Sequence, residues 1–314
     1  MQAVILAAGK GTRLRPLTET RSKAMITVLG RPLVERAIAP LLENGIRDLV
    51  FVVASDDHEI RSHFTVGVAS GIRARFVVQE PRLGTAHALG AATDLIDGPF
   101  AVWACDSLVD SDHVTQLLAA ATEADAALSV LDVEPELVSR SAAVLMDGDA
   151  VQRIVEKPRL EDAPSHTVAL PHYVFTPRLL DLLPGVGVSP RREYELPDAI
   201  QGLIEVGGRV VGIRAARRRQ ISTPADLLGV TRRLLAAAAD ATSDSQSTAG
   251  RGTRLIGPYR IEHDVVIGRN CEIGPEVYLE SGCHIGDGAV LRRSIVLRGA
   301  RVAAGELLED AVFS

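Results

Sequence analysis

Short apolar runs alternate with stretches of helical periodicity through the first two-thirds of the chain. "AVIL" (3–6), "DLVFVVA" (48–54), "ARFVVQ" (74–79) and "FAVWAC" (100–105) read as buried strands. Between them, 33–45, 56–64, 84–96 and 111–122 carry helical patterns. The first should end at Gly45 in a left-handed cap, and Ser111 or Asp112 should cap the last. Apolar runs at 127–133, 142–146, 151–156 and 172–175 follow at closer spacing and predict antiparallel strands that extend the sheet. Helices at about 195–206 and 224–239 flank a strand at 209–215. Such alternation predicts an α/β domain with a Rossmann-like mixed, mostly parallel sheet and helices on both faces.

After residue 239 the texture changes. Residues 240–252 are small and polar and read as a linker. Aliphatic residues then recur every six positions, at Leu255, Ile261, Ile267, Ile273, Leu279, Ile285, Leu291 and Leu297. Small or medium residues precede them by two, among them Cys271, Val277, Cys283 and Ala289. This is the hexapeptide signature of a parallel β-helix, about three coils long. The expected division is 1–239, a linker at 240–252, and a β-helix over 253–314.

Charge alters the picture at the first strand. The chain is acidic, with 34 Lys and Arg against 40 Asp and Glu. Yet Lys10, Arg13, Arg15, Arg21 and Lys23 crowd into fourteen residues beside "AAGKGTRLRP". A glycine-rich turn after a buried strand lets backbone N–H groups approach an anion, and a polyphosphate would balance the cations. Lys10, Arg15 and Arg21 read as field contributors or surface residues, and Arg217–Arg219 as a solvated face. The net charge of -6 argues against nucleic-acid or membrane-surface binding. The amino terminus lacks a signal-peptide pattern, and no run reaches the ~20 apolar residues of a membrane span. Three cysteines in no metal-binding cluster suit a reducing cytoplasm, with Cys271 and Cys283 packing on different sides of the prism. His58, His63, His87 and His113 read as ordinary polar or packing residues.

"LAAGKGTRLRPLTETRSKAM" resembles the amino-terminal signature of the sugar-1-phosphate nucleotidyltransferases. "QEPRLGTAHAL" (79–89), "WACDS" (103–107), "VEKP" (155–158), "HYVF" (172–175) and "STPADLL" (222–228) follow in that family's order. The hexapeptide tail resembles the left-handed β-helix of several members. The resemblance implies attack of a sugar-phosphate oxygen on the α-phosphorus of a nucleoside triphosphate, with pyrophosphate leaving.

Residue by residue, it implies that Arg13 grips the leaving pyrophosphate and that Lys23 bridges the two phosphates, although Ser22 replaces the usual proline. Asp106 would hold Mg²⁺, with Asp110 in support. Gln220 stands where many members have a second metal-binding aspartate, and Asp198 is a fallback. The backbone from Leu6 to Gly9, with Ala8 leaving room, and Gly11, Thr12, Gln79, Gly84 and Thr85 would bind the nucleotide. An amide at Gln79 favours UTP or dTTP. Glu156, Lys157 and Tyr173 would border the sugar, with "LPHY" in place of a glycine-bearing strand reshaping the pocket. Alternatives are a GTP- or ATP-using enzyme for a heptose or cyclitol phosphate, a catalytically silent regulatory subunit, or a bifunctional enzyme with an acyltransferase β-helix. A homo-oligomer involving the β-helix is expected.

Overall fold

The computed structural model describes residues 1–66, 71–238, 242–243 and 247–314. The chain forms two compact units: Met1–Lys10 with Val34–Arg219, and Gly11–Leu33 with Gln220–Ser314.

The elements run in the order β1 (Gln2–Leu6), β2 (Thr27–Val28), β3 (Arg31–Pro32), α1 (Leu33–Glu43), β4 (Asp48–Val53), α2 (His58–Val66), β5 (Arg73–Val78), α3 (Thr85–Gly90), β6 (Phe100–Ala104) and α4 (Ser111–Ala120). There follow β7 (Ala126–Asp132), α5 (Pro135–Val138), β8 (Ala142–Asp147), β9 (Ala150–Glu156), β10 (Thr167–Phe175), α6 (Leu196–Glu205), β11 (Val210–Arg214) and α7 (Pro224–Ala238). Thirteen short strands, β12 (Thr242–Ser243) to β24 (Val312–Phe313), complete the described chain.

The first unit holds a nine-stranded sheet ordered β5-β4-β1-β6-β10-β7-β11-β9-β8. β9 and β10 oppose the other seven strands, so the sheet is mixed and mostly parallel. Alternation along the strands divides the core between two faces. Val4, Val50 and Val102 pack with Leu89 of α3 and Leu203 of α6. Phe51 points the other way and meets Phe64 of α2 with ring centroids 4.3 Å apart. On that second face, His113 of α4 hydrogen-bonds Ser129 of β7 at 2.8 Å.

α1 closes as expected, with Gly45 at φ 79° and its N–H donating to Leu42 O at 3.0 Å. α4 differs: its N-cap is Asp110, whose carboxylate pairs with Arg219 instead of capping the helix. The strand predicted at 172–175 begins earlier, at Thr167, and lies inside the sheet between β6 and β7. Its pairing with β7 shifts between Ala169 and Tyr173. Pro171 has no N–H to give to a ladder, so a bulge is accommodated there.

In the second unit, β12 to β24 stack in parallel on three faces as a β-helix. Part of the expected linker, 240–241 and 244–246, lies outside the described residues. Within it, Thr242 pairs with Arg260 and Thr248 with Val266, each eighteen residues on. The six-residue period holds through Leu291 and then loses a residue. Leu279 pairs with Val296, seventeen positions later, and Val296 instead of Leu297 joins the interior cluster. The shortened corner passes through Arg293 at φ 46°. Cys271 and Cys283 are buried free thiols that precede strands on different faces, β17 (Glu272–Ile273) and β19 (His284–Ile285). The "STPADLL" stretch caps α7: Asp226 Oδ2 accepts from Thr223 N at 2.8 Å, and Thr223 Oγ1 accepts from Asp226 N at 3.2 Å.

Candidate functional site

Parallel strands deliver their carboxyl ends to one edge of the first unit's sheet, where ligands of open α/β sheets bind. Leu6 ends β1, and its carbonyl accepts from Cys105 N at 3.3 Å. That bond sets the start of the glycine-rich loop beside Asp106, which is half-buried. Ala7 and Ala8 are buried, whereas Gly9 is exposed and a Cβ there would meet nothing within 4 Å.

The Asp106 loop is held from two sides. His172 Nε2 donates to Ser107 O at 3.2 Å, and Leu108 N donates to Arg219 O at 2.9 Å. Burial lowers the His172 pKa to about 4, so the ring is neutral at pH 7. It lies 4.4 Å from the Trp103 ring, between centroids. In "LPHY", Pro171 stands where the glycine would be, and the His172 imidazole props the loop carrying Asp106. Arg217–Arg219 is not simply a solvated face: Arg219 pairs with Asp110, and Arg218 donates to Ser141 Oγ at 3.0 Å.

Gln79 follows β5 and is 5% exposed. Its amide nitrogen donates to Gly84 O at 2.8 Å and lies 3.2 Å from His87 Nδ1. Both donors are thus directed at protein groups, and the carbonyl is the group left for a ligand. Gly84 adopts φ 109°, and a Cβ there would come within 2.5 Å of Tyr194 O. Close backbone packing demands glycine at this position. Thr85 Oγ1 accepts from Leu196 N at 2.9 Å, so its hydroxyl also seats the first turn of α6.

Glu156 ends β9, and Lys157 Nζ lies 3.0 Å from its Oε1. Lys157 takes φ 43°, a left-handed backbone that non-glycine residues adopt rarely. Burial raises the Glu156 pKa, while Lys157 opposes the rise and Glu195 adds to it. Burial also raises that of the Tyr173 hydroxyl, and the Glu156 charge contributes. Glu156, Lys157 and Tyr173 are therefore one electrostatic cluster. Asp198 is pushed upward by burial and by Glu195. Glu195 is 2% exposed and accepts from Arg191 Nη2 at 2.8 Å. Nothing in local spacing marks His172, because its partner Ser107 lies 65 residues away.

The second unit carries Gly11, Thr12, Arg13, Lys23 and Gln220. Gly11 is left-handed at φ 59°, and a Cβ there would lie 3.2 Å from Lys23 Cβ. The backbone of the glycine turn is thus packed onto the lysine stem. Thr12–Leu14 is a 3₁₀ turn that buries Leu14 and leaves Arg13 exposed. Lys23 opens a second such turn, Lys23–Met25. Gln220 is half-buried. Arg21 is not a surface cation: it is paired with Glu280, and both side chains are nearly inaccessible.

A glycine loop at the carboxyl end of a strand in a mixed α/β sheet is an arrangement suited to phosphorylated ligands. Residues 2–220 match the nucleotidyl transferase family model, and residues 255–314 match that of the GMPPB C-terminal domain. The chain belongs to the nucleotidyl transferase family.

The chain is 36% identical over 217 residues to the UTP–glucose-1-phosphate uridylyltransferase AglF of Haloferax volcanii, covering 68% of this chain and 88% of the relative. It is 28% identical over 331 residues to a glucose-1-phosphate thymidylyltransferase of Streptomyces griseus, covering 99% and 91%. It spans only 54% of the bifunctional protein GlmU of Methanococcus maripaludis, at 33% identity. A solved UDP-glucose pyrophosphorylase in complex with UDP-glucose shares the fold, with a TM-score of 0.69 and 22% identity over 75% of this chain and 98% of that one.

Proposed function

We propose that the protein transfers a nucleotidyl group from UTP or dTTP to a sugar 1-phosphate, giving a nucleotide-sugar and pyrophosphate. The supporting observation is the family membership of residues 2–220, together with relatives whose names pair glucose 1-phosphate with uridylyl or thymidylyl transfer. An ionised sugar-phosphate oxygen attacks the α-phosphorus, the bond to the β-phosphate breaks in line, and pyrophosphate leaves. No general base is needed, so the protein's work is alignment and charge neutralisation. Arg13 neutralises the leaving pyrophosphate with a planar fork of donors. Lys23 bridges the α-phosphate and the sugar phosphate. Glu156 accepts from sugar hydroxyls, Lys157 meets the sugar phosphate, and Tyr173 walls the sugar. Backbone from Leu6 to Gly9, with Gly11, Thr12, Gly84 and Thr85, cradles the nucleotide.

Mg²⁺ suits the donor set. No cluster of three His, Cys, Asp or Glu fit for a metal occurs among the described residues. Mg²⁺ takes one or two protein oxygens and completes its shell with phosphate and water. Asp106 would hold it, with the Gln220 amide oxygen as a weaker second donor. When bound, the ion supplies charge neutralisation to the triphosphate.

A pyrophosphate-release assay crossing five nucleoside triphosphates with glucose, glucosamine, mannose, heptose and cyclitol phosphates tests the reading. Products are identified by mass. Release with UTP or dTTP and one sugar 1-phosphate is expected; release with no pair overturns it.

The base assignment makes a separate prediction. Gln79→Glu sets a carboxylate against Gly84 O, 2.8 Å away, and removes the amide donor. It should lower pyrimidine kcat/KM by about 10–100-fold and shift relative use toward GTP. An unchanged nucleotide preference rejects Gln79 as the base reader.

The proposed setting is the cytoplasm, and the proposed assembly a homo-oligomer built through the β-helix. Its described surface exposes Leu255, Val266 and Leu307. Sedimentation of the full chain should give a multiple of 33.4 kDa, and a single species at that mass argues against assembly. No described helix is long and apolar enough to cross a membrane.

A further inference from the structure

The β-helix presents two outward side chains that are nonetheless inaccessible. On β18 (Val277–Leu279), Val277 and Leu279 point into the prism core, so Tyr278 and the following Glu280 face outward. Yet Tyr278 is 0% exposed and Glu280 3%. Residues 21–30 of the same unit cover them. Arg21 Nη1 lies 2.8 Å from Glu280 Oε1, and the Arg21 side chain is 7% exposed. Gly30 N donates to the Tyr278 hydroxyl at 3.0 Å, and that hydroxyl lies 3.5 Å from Thr27 Oγ1. Glu280 is itself fixed, because its second oxygen accepts from Arg298 N at 2.9 Å.

These bonds flank Lys23. Arg21 lies two residues before it and Thr27 four after it, and Lys23 in turn packs on Gly11, which leads into Arg13. We propose that Glu280 and Tyr278 are positioning residues for nucleotidyl transfer: the β-helix holds the cationic loop in the geometry that receives the triphosphate. This rests on the function proposed above. A flexible loop carrying Arg13 and Lys23 would lose orientation on each turnover, and anchoring both sides of Lys23 removes that loss. Removing one member of the buried pair takes from the other its charged partner 2.8 Å away, whereas removing both leaves no such mismatch.

The test compares the full chain with Arg21→Met, Glu280→Gln, their double variant and Tyr278→Phe. It reads steady-state kinetics and amide hydrogen exchange. Arg21→Met and Glu280→Gln should each lower kcat/KM for the triphosphate at least about tenfold, and Tyr278→Phe several-fold. KM for the sugar phosphate should rise by less than the fall in kcat/KM for the triphosphate, because Lys23 meets both phosphates and Arg13 only the triphosphate. The double variant should lose no more than the worse single, because the residues act as one unit. Amides of 11–30 should exchange faster, with those of the nine-stranded sheet unchanged.

Full activity in all variants overturns the proposal, as does loss accompanied by faster exchange throughout the sheet. Should a charge variant fail to fold, Tyr278→Phe and the double variant decide by the same criteria. Should the wild type release no pyrophosphate, the proposed function fails. The anchoring role is then read from exchange alone, where unchanged protection of 11–30 in the variants overturns it.

Discussion

Arg13→Ala is expected to lower kcat by about 10²–10³-fold while leaving the fold intact, the range for removing one donor from a developing anion. The fold should tolerate it because Leu14, buried beside Arg13, anchors the 3₁₀ turn and Arg13 itself is exposed. Its proposed contribution is to the leaving group, so the loss should fall on kcat more than on KM for the sugar phosphate. Arg13→Lys keeps the charge but not the planar fork, and should recover only part of the rate. Single-turnover rates of the two variants and the wild type check this. Wild-type turnover in Arg13→Ala would remove the side chain from the reaction.

Asp106→Asn carries the second large effect, a fall in turnover on the order of 10³-fold at fixed Mg²⁺. The substitution is close to isosteric. The loop around it is held through Ser107 O by His172 and through Leu108 N by Arg219 O, bonds that do not use the Asp106 carboxylate. These two bonds, and with them the path of the loop, should therefore persist in the variant. Raising Mg²⁺ should restore part of the rate, because an amide oxygen ligates more weakly than a carboxylate. A Mg²⁺ titration of both proteins checks this, and near-normal turnover at low Mg²⁺ would take Asp106 out of the metal site.

The elements were legible where local chemistry repeats. β1, β4 and β6 fall within a residue or two of their apolar runs, because buried parallel strands need uninterrupted side chains on both faces. β5 matches its run in extent but is the edge strand of the sheet and is not buried, with Val78 41% exposed. The hexad was equally clear through Leu291. It misplaces the next interior residue because the corner at Arg293 drops one position, and no period within the sequence announces a shortened turn. Pro171 explains the register shift in β10, but the strand's place between β6 and β7 depends on strands more than thirty residues away.

Cations, glycines and carboxylates could be listed from the chain, but their tasks could not be separated there. Arg13 and Arg21 look alike in a loop of five positive charges. One is exposed on a 3₁₀ turn, and the other is paired with a glutamate 259 residues away. Gln79 has two donors and an acceptor by composition, yet the donors are directed at Gly84 and His87.

Strand runs, the glycine cap of α1 and the six-residue repeat as far as Leu291 follow from interactions within a few residues, so the order of amino acids settles them directly. The cap of α4 does not, because Arg219 takes the Asp110 carboxylate. Which charge is neutralised, which amide group remains for a ligand and what holds the glycine loop depend on neighbours brought together by folding. Desolvation and hydrogen bonding act through space, and for that reason these assignments emerge only once the chain is packed.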